Sequence, residues 1–150
     1  MEQFFIDYLE RLTDLHDDIQ QAIVDLPVEA LDWSPGDGMN SMAVLVTHTM
    51  GSERFWLGDV AVGKSSGRVR AREFTVNNLT VSDLQQLLDE TLTFAKETVA
   101  ALSFELLDEL RDSPYHEQPF TVGWCLLHAL EHTAVHLGHI QLMRQLWEMR

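Results

Sequence analysis

The histidines of this sequence are concentrated where they could bind a metal ion. Four of the seven lie within residues 128–139. If this segment is helical, His132 and His136 lie one turn apart, with a rise of about 6 Å between them, and their ring nitrogens can converge on one point. Imidazole nitrogens at this spacing are typical ligands of a divalent metal. The pair therefore predicts half of a metal site.

A third ligand is expected from elsewhere in the chain, because a catalytic metal site usually has three protein ligands and an open position. The candidate is His48, which shares a predicted inner helix face with Val44 and Leu45. A histidine buried on such a face is costly unless it has a partner. No acidic residue is evident on the inner faces. The predicted site is thus three neutral imidazoles, from His48, His132 and His136, which suit zinc or nickel first and also iron, cobalt or manganese.

The remaining histidines and the single cysteine are given other roles. We expect His128 and His139 to support the ligands or to pack against them, and His16 and His116 to lie on the surface or in loops. Cys125 comes about two helical turns before the histidine pair, about 10 Å away. It is expected to be a small core side chain rather than a ligand.

Several further side chains could surround such a site. Ser52 shares the face of His48, whereas Glu131 points about 100° away from the inner face and is expected in solvent. The basic cluster could hold carboxylates of a cofactor or simply form a solvated loop. It consists of Lys64, Arg68, Arg70 and Arg72. Four aromatic residues could wall a pocket or belong to the core: Trp33, Phe55, Trp56 and Trp124.

The spacing of apolar residues predicts the helices that carry these side chains. Four long helices are predicted, over about residues 5–26, 41–57, 80–102 and 121–149. The first ends near Pro27. Asn40 or Ser41 can cap the second helix, and Thr80 with Asp83 forms the pattern of a capping box at the start of the third.

The connections between these helices define the fold class. Residues 63–79 show no helical period and form a longer connection than the usual helix-to-helix loop of about 2 to 8 residues, so a long crossover is expected. An acidic segment at residues 104–112 could form a short helical turn. Strand-like alternation does not extend beyond a few residues. The prediction is an all-α, single-domain four-helix bundle that spans residues 1–150.

Composition limits the classes of partner. The chain has 24 acidic and 10 basic side chains and a formal charge of −14. This charge repels phosphate backbones and anionic lipid, so neither nucleic acid nor a membrane is expected as a partner. The single cysteine, the acidic N-terminal residues and the lack of a run of about 18 apolar residues predict a cytoplasmic protein.

The same residues carry a family resemblance that covers essentially the whole chain. The sequence resembles the DinB/YfiT-like superfamily of metal-dependent four-helix bundles. The match consists of His48 in LVTHTMGSERFWLGD and of His132 with His136 in HALEHTAVHLGHIQL. The family motif commonly ends in His-Arg-Gly-Gln, whereas here Leu137 and His139 replace the Arg and the Gln.

The resemblance implies an activity and a cofactor. Characterised relatives are thiol transferases or isomerases in which a divalent metal, often zinc or nickel, binds mycothiol, bacillithiol or glutathione. By resemblance, His48, His132 and His136 hold the ion. The chain is then a metal-dependent transferase, a low-molecular-weight-thiol S-transferase or a related detoxification or stress-response enzyme that acts on a small electrophile. Neither the catalytic residues nor the thiol-binding residues are identified.

Two alternatives stay open at this point. The chain could be a non-enzymatic metal-binding bundle or interaction protein in which the ion is structural, or a metal-free bundle with a structural histidine cluster. A homodimer is also expected, because the last helix has apolar side chains to spare. These are Leu142, Met143, Leu146, Trp147 and Met149.

Overall fold

Long helices packed side by side form the protein, which confirms the predicted all-α bundle. The computed structural model describes residues 1–150. In chain order the elements are α1 (Gln3–Ile23), α2 (Val28–Asp32), α3 (Met42–Arg54), a π-helix (Phe55–Val62), α4 (Arg70–Glu73), α5 (Val81–Val99), a 3-10 helix (Phe104–Leu106), strands β1 (Leu110–Arg111) and β2 (Phe120–Thr121), and α6 (Val122–Glu148). Helix α6 packs against both α1 and α3. The site therefore has to be sought where α3 and α6 meet.

The predicted helix starts are confirmed by their caps. The Ser41 side chain accepts a hydrogen bond from the amide of Val44 at 3.2 Å, and Thr121 caps α6 in the same way. Thr80 and Asp83 form the predicted capping box at the start of α5. Each cap stabilises its helix by about 1 kcal/mol. These starts set the rotation of α3 and α6, and hence the directions in which their histidines point.

Three helix ends differ from the prediction, among them that of α5, which ends at Val99 rather than near Leu102. Helix α1 ends at Ile23, because Asp25 adopts a left-handed conformation with φ of 61°. The second long helix continues beyond Leu57 as a π-helix to Val62. At Gly58 an added Cβ would lie 2.5 Å from the Phe94 ring, so glycine permits this close approach to α5. π-Helical turns are frequent near functional sites.

The connections also contain structure that periodicity did not indicate. The long crossover is confirmed and holds the four-residue helix α4. The 3-10 helix Phe104–Leu106 provides the expected helical turn. Strands β1 and β2 pair in antiparallel fashion, with Leu110 opposite Thr121. They close a loop that contains His116, which places this histidine beside the start of α6.

A buried polar layer separates two apolar clusters in the core. The layer consists of His16 on α1, Glu53 on α3 and Thr133 on α6, and all three are buried. His16 Nε2 lies 2.9 Å from Glu53 Oε2, and Thr133 Oγ1 donates to the same oxygen at 3.2 Å. The prediction that His16 lies on the surface is wrong. His16 follows Leu12 by one turn and, like Leu12, is fully buried.

The outer surface retains apolar side chains on α6. Of the apolar residues predicted to be spare, Leu142 and the residue after the helix, Met149, are more than half exposed, whereas Met143 is buried. Leu127 and Val135 are also more than half exposed. Homodimer formation through this helix stays a prediction. None of the helices combines the length and the apolar character needed to cross a lipid bilayer.

Candidate metal centre

The three predicted ligands come together where α3 packs against α6. The ring centroids of His132 and His136 are 4.4 Å apart. The His48 ring lies 5.1 Å from that of His132 and 5.2 Å from that of His136. One ring nitrogen from each residue lies within 4.8 Å of the other two. The cluster could hold a metal ion, as the sequence predicted.

Burial and mutual proximity keep the imidazoles of His132 and His136 in the neutral form that binds a metal ion. Burial, with help from neighbouring imidazoles, lowers the pKa of His132 to about 3. Burial and the adjacent His48 lower the pKa of His136 to about 4. Both rings are therefore neutral at pH 7, and a metal need not displace a proton from either of them. His132 Nδ1 is buried without a hydrogen-bond partner, which fits a site whose nitrogens are reserved for an ion.

We expect the metal-free protein to lose stability as the pH falls below 6.5. In the unfolded chain His132 and His136 take up protons near pH 6.5, whereas in the folded state their pKa values are about 4 or lower. The unfolded state then binds more protons, so acid favours unfolding. Discounted for partial exposure, the loss between pH 6.5 and pH 5 is about 1–2 kcal/mol. Urea unfolding at both pH values measures it.

The control for this pH dependence is a double variant. With His132→Asn and His136→Asn the two titrating groups are gone, and the extra loss of stability between pH 6.5 and pH 5 should disappear. Other titrating groups contribute equally to both proteins. An identical pH dependence in the wild type and the double variant would contradict the lowered pKa values.

A buried carboxylate orients His48, and the sequence analysis missed it. Glu73 Oε1 lies 3.2 Å from His48 Nδ1. Arg68 holds the same carboxylate with two hydrogen bonds, of 2.9 Å and 2.7 Å. With Nδ1 engaged, Nε2 of His48 is the nitrogen left for an ion, the usual arrangement of a carboxylate behind a metal-binding histidine. The three converging residues are histidines, as predicted. The expectation that the inner helix faces carry no acidic residue is wrong, because Glu53 of α3 is buried.

Glu73 stays ionised despite its burial. Burial alone would raise its pKa, but hydrogen bonds from His48 and Arg68 and the charge of Arg68 outweigh this and lower the pKa below the usual value. Glu73 comes from α4, inside the crossover that showed no helical period. In the sequence, Glu73 stands out only by following Arg68 by five residues, and this spacing does not predict a buried ion pair.

Gly51 makes room for the Glu73 carboxylate, and we expect Gly51→Ala to weaken zinc binding. An added Cβ would lie 2.1 Å from Glu73 Oε2, so the carboxylate would have to leave His48. Loss of such a supporting group typically lowers metal affinity about 10- to 100-fold. Competition with a chromophoric chelator measures the affinity.

The matched control for Gly51→Ala is Gly138→Ala on α6. No atom lies within 4 Å of a Cβ placed there. Its zinc affinity should equal that of the wild type, since alanine is tolerated well in a helix. If Gly51→Ala also binds zinc like the wild type, Glu73 does not support the ligand.

The neighbours of the ligand pair on α6 have packing and hydrogen-bonding roles. His139 Nδ1 lies 3.3 Å from His136 Nδ1, and His128 stacks on Trp124 with ring centroids 4.6 Å apart. Leu137, which replaces the family's arginine, is buried in the core. Cys125 is buried as predicted, and burial raises the pKa of its thiol to about 11. It does not belong to the group of side chains that converge on one point.

A cavity of about 390 Å³ opens beside His48 and His132, whereas His136 does not line it. Its lining residues are His48, Ser52, Phe55, Trp56, Arg68, Arg70, Tyr115, His116, His128 and His132. Of the four aromatic residues predicted to wall a pocket, Phe55 and Trp56 do so. Trp33 instead packs against Trp147. Glu131 is exposed and lies outside this cavity, as expected.

Comparison with known proteins identifies the family. Residues 11–140 match the DinB superfamily, and the chain belongs to it. Among solved structures, a conserved protein from Enterococcus faecalis has the same fold, with a TM-score of 0.79, 14% sequence identity and full coverage of both chains. None of the curated proteins matches this chain. The family and the fold are thus shown together with a histidine cluster that could bind metal.

Proposed function

We propose that the protein is a divalent-metal-dependent enzyme, with His48, His132 and His136 as ligands of zinc or nickel. The observation that carries this proposal is the convergence of three imidazoles from two helices, two of which, His48 and His132, line a cavity. A structural ion has no need of such a space, whereas a catalytic ion requires access for substrate.

Transfer of a low-molecular-weight thiol is the reaction that we propose. A divalent ion held by the three histidines would lower the pKa of a thiol ligand and favour the nucleophilic thiolate at neutral pH. The chain's own contribution is to hold neutral imidazoles in place, with Glu73 orienting His48. The aromatic side chains of the cavity would shield the reacting groups from water and position a small electrophile. Mycothiol, bacillithiol and glutathione are the candidate thiols.

The test begins with protein purified without an affinity metal. Elemental analysis should find close to one divalent ion per chain. Calorimetric titration of the zinc-loaded and nickel-loaded proteins with each of the three thiols should then detect binding, and the metal-free protein and His136→Ala should not bind them. Catalysis is then measured as the rate at which the thiol that binds consumes an electrophile such as monobromobimane.

Two results would contradict the proposed function. Metal-free protein that takes up no divalent ion would point to a structural histidine cluster. Stoichiometric metal with a thermal midpoint that collapses on chelation, and with no thiol binding, would indicate a structural ion.

A further inference from the structure

We infer that the cavity lined by His48 and His132 binds a small organic carboxylate, and that Arg70 is the residue that recognises the carboxylate group. The inference rests on the proposed function only for the ligand group next to the metal, which would be a thiol. The anion-binding property itself follows from the charges and the packing of the cavity wall.

The cavity wall has no negative charge, in a protein that is otherwise strongly acidic. The chain has 24 acidic residues and a formal charge of −14. None of them is among the ten residues that line the cavity, which include two arginines and four histidines. No carboxylate of the cavity wall therefore repels an anion, whereas much of the protein surface does.

The two arginines of the cavity wall differ in whether their hydrogen-bond donors are free to bind a ligand. Arg68 is nearly buried and holds Glu73 with two hydrogen bonds, so its charge is already neutralised. Arg70 is exposed and forms neither an ion pair nor a side-chain hydrogen bond. Its guanidinium group therefore has donors available for a ligand carboxylate, which it can bind with two parallel hydrogen bonds.

The Phe74 ring contacts both Arg70 and His48 and so places Arg70 close to the histidine cluster. The Cζ atom of Arg70 lies 4.9 Å from the centroid of the Phe74 ring. The Phe74 ring in turn lies 5.0 Å from the ring of His48. A ligand of modest length could therefore contact both Arg70 and the metal-binding end of the cavity.

The rest of the wall favours a ligand with an apolar body. Trp56 is buried except for its face toward the cavity, and the ring of Tyr115 stacks on that of Phe55 with centroids 5.5 Å apart. The volume of about 390 Å³ is near the lower end of small-molecule sites. The ligand class is thus a small carboxylate with an apolar or aromatic portion, and a mercaptocarboxylate if the thiol reaction is correct.

The experiment compares ligand pairs that differ in charge. The zinc-loaded protein is titrated with 3-mercaptopropionate and with neutral 2-mercaptoethanol, and the zinc-loaded and metal-free proteins are titrated with phenylacetate and with its neutral amide. We expect the charged member of at least one pair to bind about tenfold more tightly, as for hydrogen bonds to a charged group. Arg70→Gln should reduce this preference to about twofold.

The controls separate recognition from folding. Arg72→Gln removes an exposed arginine of the same short helix that lies outside the cavity, and it should keep the full preference. Arg70→Lys keeps the charge without the paired hydrogen bonds and should give an intermediate preference. A zinc affinity of Arg70→Gln equal to that of the wild type shows that the site is intact.

The outcomes distinguish this inference from the proposed function. Phenylacetate binding that depends on Arg70, without binding of any thiol, supports the inference and refutes thiol transfer. Thiols that bind zinc-loaded protein equally well with and without a carboxylate, together with no preference for phenylacetate over its amide, overturn the inference and leave thiol transfer standing. A charge preference that persists in Arg70→Gln also overturns it.

Discussion

Replacing His132 with asparagine is expected to lower zinc affinity about a thousandfold. A complete zinc site contributes about 10–16 kcal/mol, so one ligand of three accounts for about 4 kcal/mol, which corresponds to this factor. His48→Asn should have an effect of the same size, although it lies on a different helix. Competition with a chelator of known affinity measures both constants, and the wild type serves as reference.

The control for the ligand variants is His128→Asn. His128 lies one turn before His132, and its ring centroid is 5.8 Å from that of His132. It is absent from the group whose nitrogens converge. Its replacement should change zinc affinity less than about tenfold, the lower end of the effect of a supporting residue. An equal loss in all three variants would show that zinc binds unspecifically to exposed imidazoles.

Glu53→Ala is expected to have the largest effect on stability. The variant leaves His16 buried without its partner, and breaking a buried ion pair in this way costs about 3–5 kcal/mol. Thr133 also loses the acceptor of its hydrogen bond. Urea unfolding of the metal-free protein at pH 6 measures the difference in the free energy of unfolding.

The pH dependence of this effect follows from His16. Burial opposes its positive charge, but the Glu53 carboxylate and its hydrogen bond outweigh burial and raise the pKa of His16 above its ordinary value. The stabilisation by the pair is therefore fully present below pH 6.5 and is lost as the pH rises through the raised pKa of His16. The cost of Glu53→Ala should be smaller at pH 9 than at pH 6.

A double variant distinguishes the ion pair from simple packing. His16→Leu combined with Glu53→Met replaces both buried polar groups with apolar side chains of similar size. Such replacements are often neutral or stabilising, so the double variant should recover most of the stability lost in Glu53→Ala. If the stability losses of His16→Leu and Glu53→Met simply add in the double variant, the two side chains do not act as a pair.

Much of the fold and half of the candidate site could be predicted, because those features depend on contacts within one helix. The spacing of His132 and His136 places them on one face wherever the helix packs. The cap of α5 by Thr80 and Asp83 is equally local, and it is found as expected. The stripe of apolar residues around His48 indicated its inward direction, and the order of the helices allowed it to meet the pair.

Tertiary structure decided the features that join distant segments. Glu73 reaches His48 from a crossover without periodicity, and Gly51 provides the space for its carboxylate. His16 was expected on the surface or in a loop, but a partner 37 residues away, Glu53, makes its burial possible. Periodicity shows which face of a helix is apolar. It cannot show which buried polar group on another helix satisfies a polar residue on that face, because that depends on how the helices pack.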